Sequence, residues 1–145
     1  MPILTKKEQN WCTGHGKFVA PINHQILSFL EQKKNMERIV IVAYKPKAGK
    51  SDRLKDLVSS HWKTLNKLGM VSKREPIIAE SEDGTVIEVF GWKSKEAINQ
   101  AHSNETVQAM WQDFASVCDY VPISNTEESK SVFSEFTPLN SHTVE

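Results

Sequence analysis

The 145-residue sequence carries no net charge, since 18 Lys+Arg balance 18 Asp+Glu. Nothing in that balance draws the chain to nucleic acid or to an anionic membrane surface, and neither partner is expected. Long apolar runs are also missing. The longest, residues 39–44, falls far short of the roughly 20 residues a spanning helix needs. The first residues lack the apolar core of a signal peptide, so a cytoplasmic protein is expected. Two cysteines, Cys12 and Cys118, are too few for a disulfide framework. Cys12, His15 and His24 are scattered and lack the spacing of a zinc site, so no metal is expected. Gly49-Lys50-Ser51 resembles the end of a phosphate-binding loop. That loop needs a glycine at position 44, where Tyr44 stands, and Pro46 within it offers no N–H. Nucleotide hydrolysis is thereby excluded, and a solvated loop is expected there.

What remains is a chain with 39% apolar and 25% charged residues, the composition of a globular protein. Its charge is uneven. Residues 1–35 hold five Lys and two Glu, whereas residues 36–145 are net acidic. This divides the chain into an N-terminal extension (1–35), a domain (36–139) and a short tail (140–145). Ile26, Leu27 and Leu30 suggest a short helix over residues 22–30.

The domain reads more firmly. Residues 39–45 are β-branched and end at Pro46, which predicts a strand. Ser51 is placed to cap a helix running to about residue 68, closed by Gly69. Its stripe is Leu54, Leu57, Val58, His61 or Trp62, Leu65 and Leu68. Strands follow over 73–80 and 85–92, joined by a turn at Glu82-Asp83-Gly84. Ser94 and Asn104 are caps for helices over 95–102 and 105–120, the second ended by Pro122. Residues 131–137 are expected to form the last strand. The order β-α-β-β-α-α-β is that of a ferredoxin-like α+β fold, an antiparallel sheet with its helices on one face.

In the first strand Ile39, Ile41 and Ala43 point to one face and Val40, Val42 and Tyr44 to the other. Both faces need burial and the helices cover one. A second copy of the sheet is the expected cover for the other, giving a homodimer; residues 1–35 are the rival cover.

Three polar side chains stand out against apolar surroundings. His61 lies on the stripe of its helix, Glu88 in the middle of a strand, and His102 four residues after Ile98. A carboxylate in a central strand must be paired, must line a cavity, or must have a raised pKa. His61, Glu88 and His102 are the candidate catalytic residues, the histidines as proton acceptor or donor. Tyr44, Phe90, Trp92 and Trp111 are the candidate substrate-binding wall. Aromatic walls with a few convergent polar groups describe a small-molecule pocket, and an ordinary core with a satisfied polar cluster is the competing interpretation.

The stretch Glu88-Val89-Phe90-Gly91-Trp92-Lys93-Ser94-Lys95-Glu96-Ala97, then Ala101-His102 and Val107-Gln108-Ala109-Met110-Trp111, resembles the dimeric α/β-barrel superfamily, in its antibiotic-biosynthesis-monooxygenase-type branch. His61-Trp62-Lys63-Thr64-Leu65 with Gly69-Met70-Val71 fits the same pattern. The resemblance spans residues 36–139. It implies a dimer joined through the sheet, with a cavity between sheet and helices in each protomer. It also implies a cofactor-independent, monooxygenase-like enzyme acting on an aromatic or apolar compound. A non-catalytic binding module or structural dimer of the same fold is the alternative. Haem-degrading members carry a first-strand asparagine and a ligating histidine near positions 110–111. This chain has neither, which points away from haem.

Overall fold

The structure is a computed structural model that describes residues 23–140. Chain contacts divide it into two units, Met1–Glu31 and Gln32–Glu145. The helix α1 (His24–Lys34), which runs past the division at Glu31, begins where Asn23 Oδ1 accepts the Gln25 N–H at 3.0 Å. It runs further than its apolar residues suggest, and Ile26, Leu27, Phe29 and Leu30 are exposed. Residues 1–22 and 141–145, with Cys12 and His15 among them, lie outside the described residues. Among the described residues no helix is long and apolar enough to cross a membrane.

The second unit is α+β. Strand β1 (Arg38–Pro46) leads through a turn at Gly49, φ +72°, into α2 (Ser51–Lys67). The N-cap of α2 is Lys50, without a side-chain cap, so Ser51 is the first helical residue and does not cap it. Leu54, Leu57, Val58, His61 and Leu65 are its buried face. The helix closes in a Schellman arrangement. The Gly69 N–H donates to Asn66 O at 3.0 Å and the Met70 N–H to Leu65 O at 3.1 Å, with Gly69 at φ +70°.

Strand β2 (Ile77–Glu80) starts four residues later than expected. Pro76 has no N–H for a ladder and biases the residue before it. Asn140 instead bridges that end, donating to Pro76 O and accepting from the Ile78 N–H. A turn leads to β3 (Val86–Trp92), and β3 to α3 (Lys95–Ser103) and α4 (Glu105–Val117). Ser94 Oγ and Asn104 Oδ1 accept the Ala97 and Val107 N–H groups, as the two caps require.

The expected helix over 105–120 stops at Val117. Residues Cys118–Val121 form β4, hydrogen-bonded to the free edge of β1 with Tyr120 opposite Tyr44. Asp, Tyr and Val are modest helix formers, and the unpaired edge gains more from a strand. With that edge taken, residues 131–136 do not form the predicted strand. Residues 131–133 make bends, 134–136 are irregular, and only β5 (Thr137–Pro138) pairs, with Ala79 and Glu80. The sheet order is β4-β1-β3-β2-β5, antiparallel throughout. The architecture is compatible with a ferredoxin-like fold.

One face of the sheet packs on the helices. Tyr44, Val86, Phe90 and Trp92 meet Leu54, Val58 and Leu65 of α2, Ala101 of α3, and Val107 and Phe114 of α4. The other face is half covered. Ala43, Ile87 and Ala79 lie under Ile123 and Phe136 from the C-terminal segment. Beyond them Ile39, Ile41 and Ile77 are 56, 55 and 60% exposed.

The β2–β3 turn depends on Asp83. Its carboxylate accepts from the Ser81 hydroxyl and from the Thr85 N–H, bonds that hold its pKa down at about 2. Lowering below the ordinary value means the charged form is preferred when folded. That stabilisation is complete above about pH 4 and fades as pH falls toward 2. Asp83 is exposed, so solvent screening leaves about 1 kcal/mol. Asp83→Asn should lose about that much at pH 7 and much less at pH 3 in urea unfolding. Equal losses at both pH values would contradict this account.

Candidate functional site

The central strand carries the unusual residue. Glu88 lies on β3 between Val42 of β1 and Ile78 of β2, and is fully buried on the helix-covered face. A carboxylate there is costly unless donors meet it. Two do, both at Oε1. The Tyr44 hydroxyl donates at 2.7 Å, reaching diagonally from the adjacent strand, and His61 Nδ1 lies at 2.8 Å, reaching down from α2. Oε2 is buried with no hydrogen-bond partner among the described residues.

The imidazole continues the chain. The Trp111 indole N–H, from α4, donates to His61 Nε2 at 3.2 Å. An indole nitrogen only donates, so Nε2 must be the acceptor, and the single proton of a neutral imidazole sits on Nδ1. The His61–Glu88 contact is therefore a hydrogen bond from a neutral ring to the carboxylate. Phe90 and Phe114 hold the ring edge-on, with centroids at 5.5 and 5.1 Å.

A pocket of about 350 Å³ lies over this chain, lined by His61, Trp111, Tyr44, Val42, Phe90 and Trp92, with Val40, His102 and Tyr120 completing the wall. A hollow of about 500 Å³ elsewhere is lined by Lys95, Glu96, Asn99, Gln100 and Ser103, all on α3 and without an apolar side chain. The smaller one has the apolar walls and convergent polar groups of a small-molecule site.

Burial pushes the Tyr44 hydroxyl well above its ordinary pKa, and the nearby Glu88 charge adds to this. Burial likewise raises Tyr120 to about 12, with smaller effects from Cys118 and Glu88. Both phenols stay protonated donors across the physiological range.

The candidate residues thus fall into three groups. His61, Glu88, Tyr44 and Trp111 form one hydrogen-bonded chain. Phe90 and Trp92 are walls, packed together at 5.4 Å. His102 stands apart, exposed near the end of the nine-residue α3, with its ring 5.2 Å from Trp111. It lines the pocket but does not reach the carboxylate. Glu88 does not line the pocket and acts on it through His61 and Tyr44. Tyr120 was not foreseen, because its strand was read as helix. The signal available was Tyr-Val just before Pro122, which suits a strand end.

No family model, curated protein or solved structure matches the chain.

Tyr44→Phe would leave Glu88 Oε1 with one donor. A hydrogen bond to a charged group contributes about 1.5–3 kcal/mol, and stability should fall by that amount in urea unfolding. A change within about 0.5 kcal/mol, the range of an ordinary surface substitution, would show that the contact does not hold the carboxylate.

Proposed function

We propose that the chain binds a small, neutral aromatic compound between its sheet and helices, and oxidises it in the manner of the antibiotic-biosynthesis-monooxygenase-type proteins it resembles. The observation that carries this reading is a ligand-sized pocket whose aromatic wall includes one imidazole, itself oriented by a buried carboxylate. At about 350 Å³ the pocket falls within the range of small-molecule sites. The tautomer suits base catalysis. A proton accepted at Nε2 gives an imidazolium whose Nδ1–H remains on Glu88, so the new charge is paired at once.

In the proposed reaction His61 takes the hydroxyl proton of the bound arene, leaving an electron-rich oxyanion. Dioxygen then places one oxygen atom on the ring. The other leaves as water, carrying the two hydrogens lost from the arene, and a quinone forms. Dioxygen is the oxidant and no further cofactor is invoked. Trp92 and Phe90 supply the stacking surface. The second reading is binding without turnover. It is favoured by one observation, that Nε2 is already engaged by Trp111.

Oxygen uptake with 2-naphthol separates the two. His61→Ala should lower uptake by at least about 10², the usual contribution of a general base. Binding, followed by calorimetry, should weaken by no more than about tenfold, the effect of one lost hydrogen bond. Wild-type protein that binds 2-naphthol without consuming oxygen would support the binding module instead.

The partner in this proposal is a second copy of the chain on the open half of the outer sheet face. Ile39, Ile41 and Ile77 offer an apolar patch there. Val132 and Phe133 are almost fully exposed in the segment whose Ile123 and Phe136 cover the other half. Patch and protruding side chains on one chain are what a self-complementary two-fold contact needs. Sedimentation should show a dimer for the wild type and a folded monomer for Ile41→Lys. A monomeric wild type at micromolar concentration would end the dimer proposal.

A further inference from the structure

We propose that the Trp111 indole is a latch on His61 that a ligand's own donor must replace, so that the pocket selects aromatic compounds carrying a hydroxyl. This rests on the reading of the pocket as a ligand site. The starting point is that the imidazole is fully occupied. Nδ1 donates to Glu88 Oε1 at 2.8 Å and Nε2 accepts the indole N–H at 3.2 Å. The Nε2 of a neutral imidazole offers one in-plane lone pair, so it serves one donor at a time. A ligand hydroxyl reaches it only when the indole N–H has left.

The two partners of His61 differ in how firmly they are held. Glu88 is fully buried in the central strand and receives a second bond from Tyr44. Trp111 is only partly buried, and packs against the exposed His102 ring at 5.2 Å. Its bond, at 3.2 Å, is at the long end of the range for an N–H donor. A hydroxyl approaches an acceptor more closely than an N–H does. Exchange of indole for ligand hydroxyl is therefore the step the geometry favours, and Trp111 is the member that moves. A ligand without a donor leaves the latch shut and gains only apolar contact. Trp111 is in this sense a positioning residue. It fixes the tautomer of the empty site and sets which ligands open it.

The test uses the full chain with two probes, 2-naphthol and its methyl ether, which differ in the hydroxyl proton and one methyl group. Nuclear magnetic resonance on nitrogen-15-labelled protein reads the through-hydrogen-bond coupling between the Trp111 and His61 nitrogens. On wild type, 2-naphthol should bind more tightly than the ether by less than the roughly tenfold of a full hydrogen bond, because the indole bond is given up for the hydroxyl bond, and should abolish the coupling. Trp111→Phe should bind 2-naphthol more tightly and the ether unchanged. His61→Leu should bind both probes alike. Should Trp111→Phe fail to fold, the wild-type coupling still decides. Bound 2-naphthol with the coupling intact, or equal affinity of folded Trp111→Phe for the two probes, overturns the latch and leaves the pocket reading standing. No binding of either probe to wild type or to folded Trp111→Phe overturns the pocket reading and the latch together.

Discussion

A carboxylate in the middle strand of the sheet is the constraint around which the domain is arranged. Glu88 has neighbouring strands on both sides and helices above it, so solvent cannot satisfy it. Its donors must come from the protein, and each ties a different element to β3. Tyr44 locks β1 by its ring as well as its hydroxyl, stacking on Phe114 at 5.1 Å. His61 locks α2 at the middle of its buried face. Through Nε2 the same network reaches α4. Replacing the cluster with apolar side chains could leave the stability of the fold unchanged or raise it, as for other buried polar networks. The cluster does more by fixing what the imidazole presents to the pocket than by adding to folding stability.

The sheet imposes a second constraint, because β1 is apolar on both faces. The helices settle one. On the other, the C-terminal segment settles half by laying Ile123 and Phe136 over Ala43, Ile87 and Ala79. The row formed by Ile41, Val89 and Ile77, which are direct cross-strand neighbours, borders that cover: Val89 packs against the covered cluster, while Ile41 and Ile77 stay exposed. Gly91, opposite Ile39, has no side chain, and the Glu37 carboxylate lies across that space, where it accepts from Ser72 and Arg74. A Cβ at position 91 would collide with it. The bare patch thus has a polar rim at one corner, the arrangement common to protein interfaces.

Local signals were legible and non-local ones were not. The stripe of α2, the caps Ser94 and Asn104 and the turn at Gly84 each depend on residues within a few positions, and the sequence shows them directly. Residues 118–121 extend the pattern of the preceding helix, with Cys118 next on the stripe. Only the unpaired edge of β1, more than seventy positions away, makes them a strand. The same edge explains residues 131–136, where Val132 and Phe133 are adjacent and lack a strand's alternation. In the site, His61 and Glu88 were visible as polar residues on apolar faces. Tyr44 as a partner of Glu88 needed the strand register, and Tyr120 needed its strand. His102 showed a helical spacing from Ile98, but spacing does not reveal that α3 ends one residue later, where side chains meet solvent.

The composition of the pocket wall limits what it can hold. Among the described residues the wall includes no Lys or Arg. A carboxylate or phosphate brought into it would be buried without a cation, close to the Glu88 charge, at a cost of several kcal/mol. A cation would gain from Glu88 and from the aromatic faces, but the carboxylate does not line the pocket and Oε1 already accepts two donors. A neutral ring system meets neither penalty. It covers apolar wall at Val40, Val42, Phe90 and Trp92, and needs one directional contact to be held in a single orientation. Tyr44 already spends its proton on Glu88, and Tyr120 lies on the half-exposed side. His61 Nε2 is the acceptor left for that contact, and under the proposed latch the indole that now occupies it makes the site discriminate by hydrogen bonding rather than by shape alone.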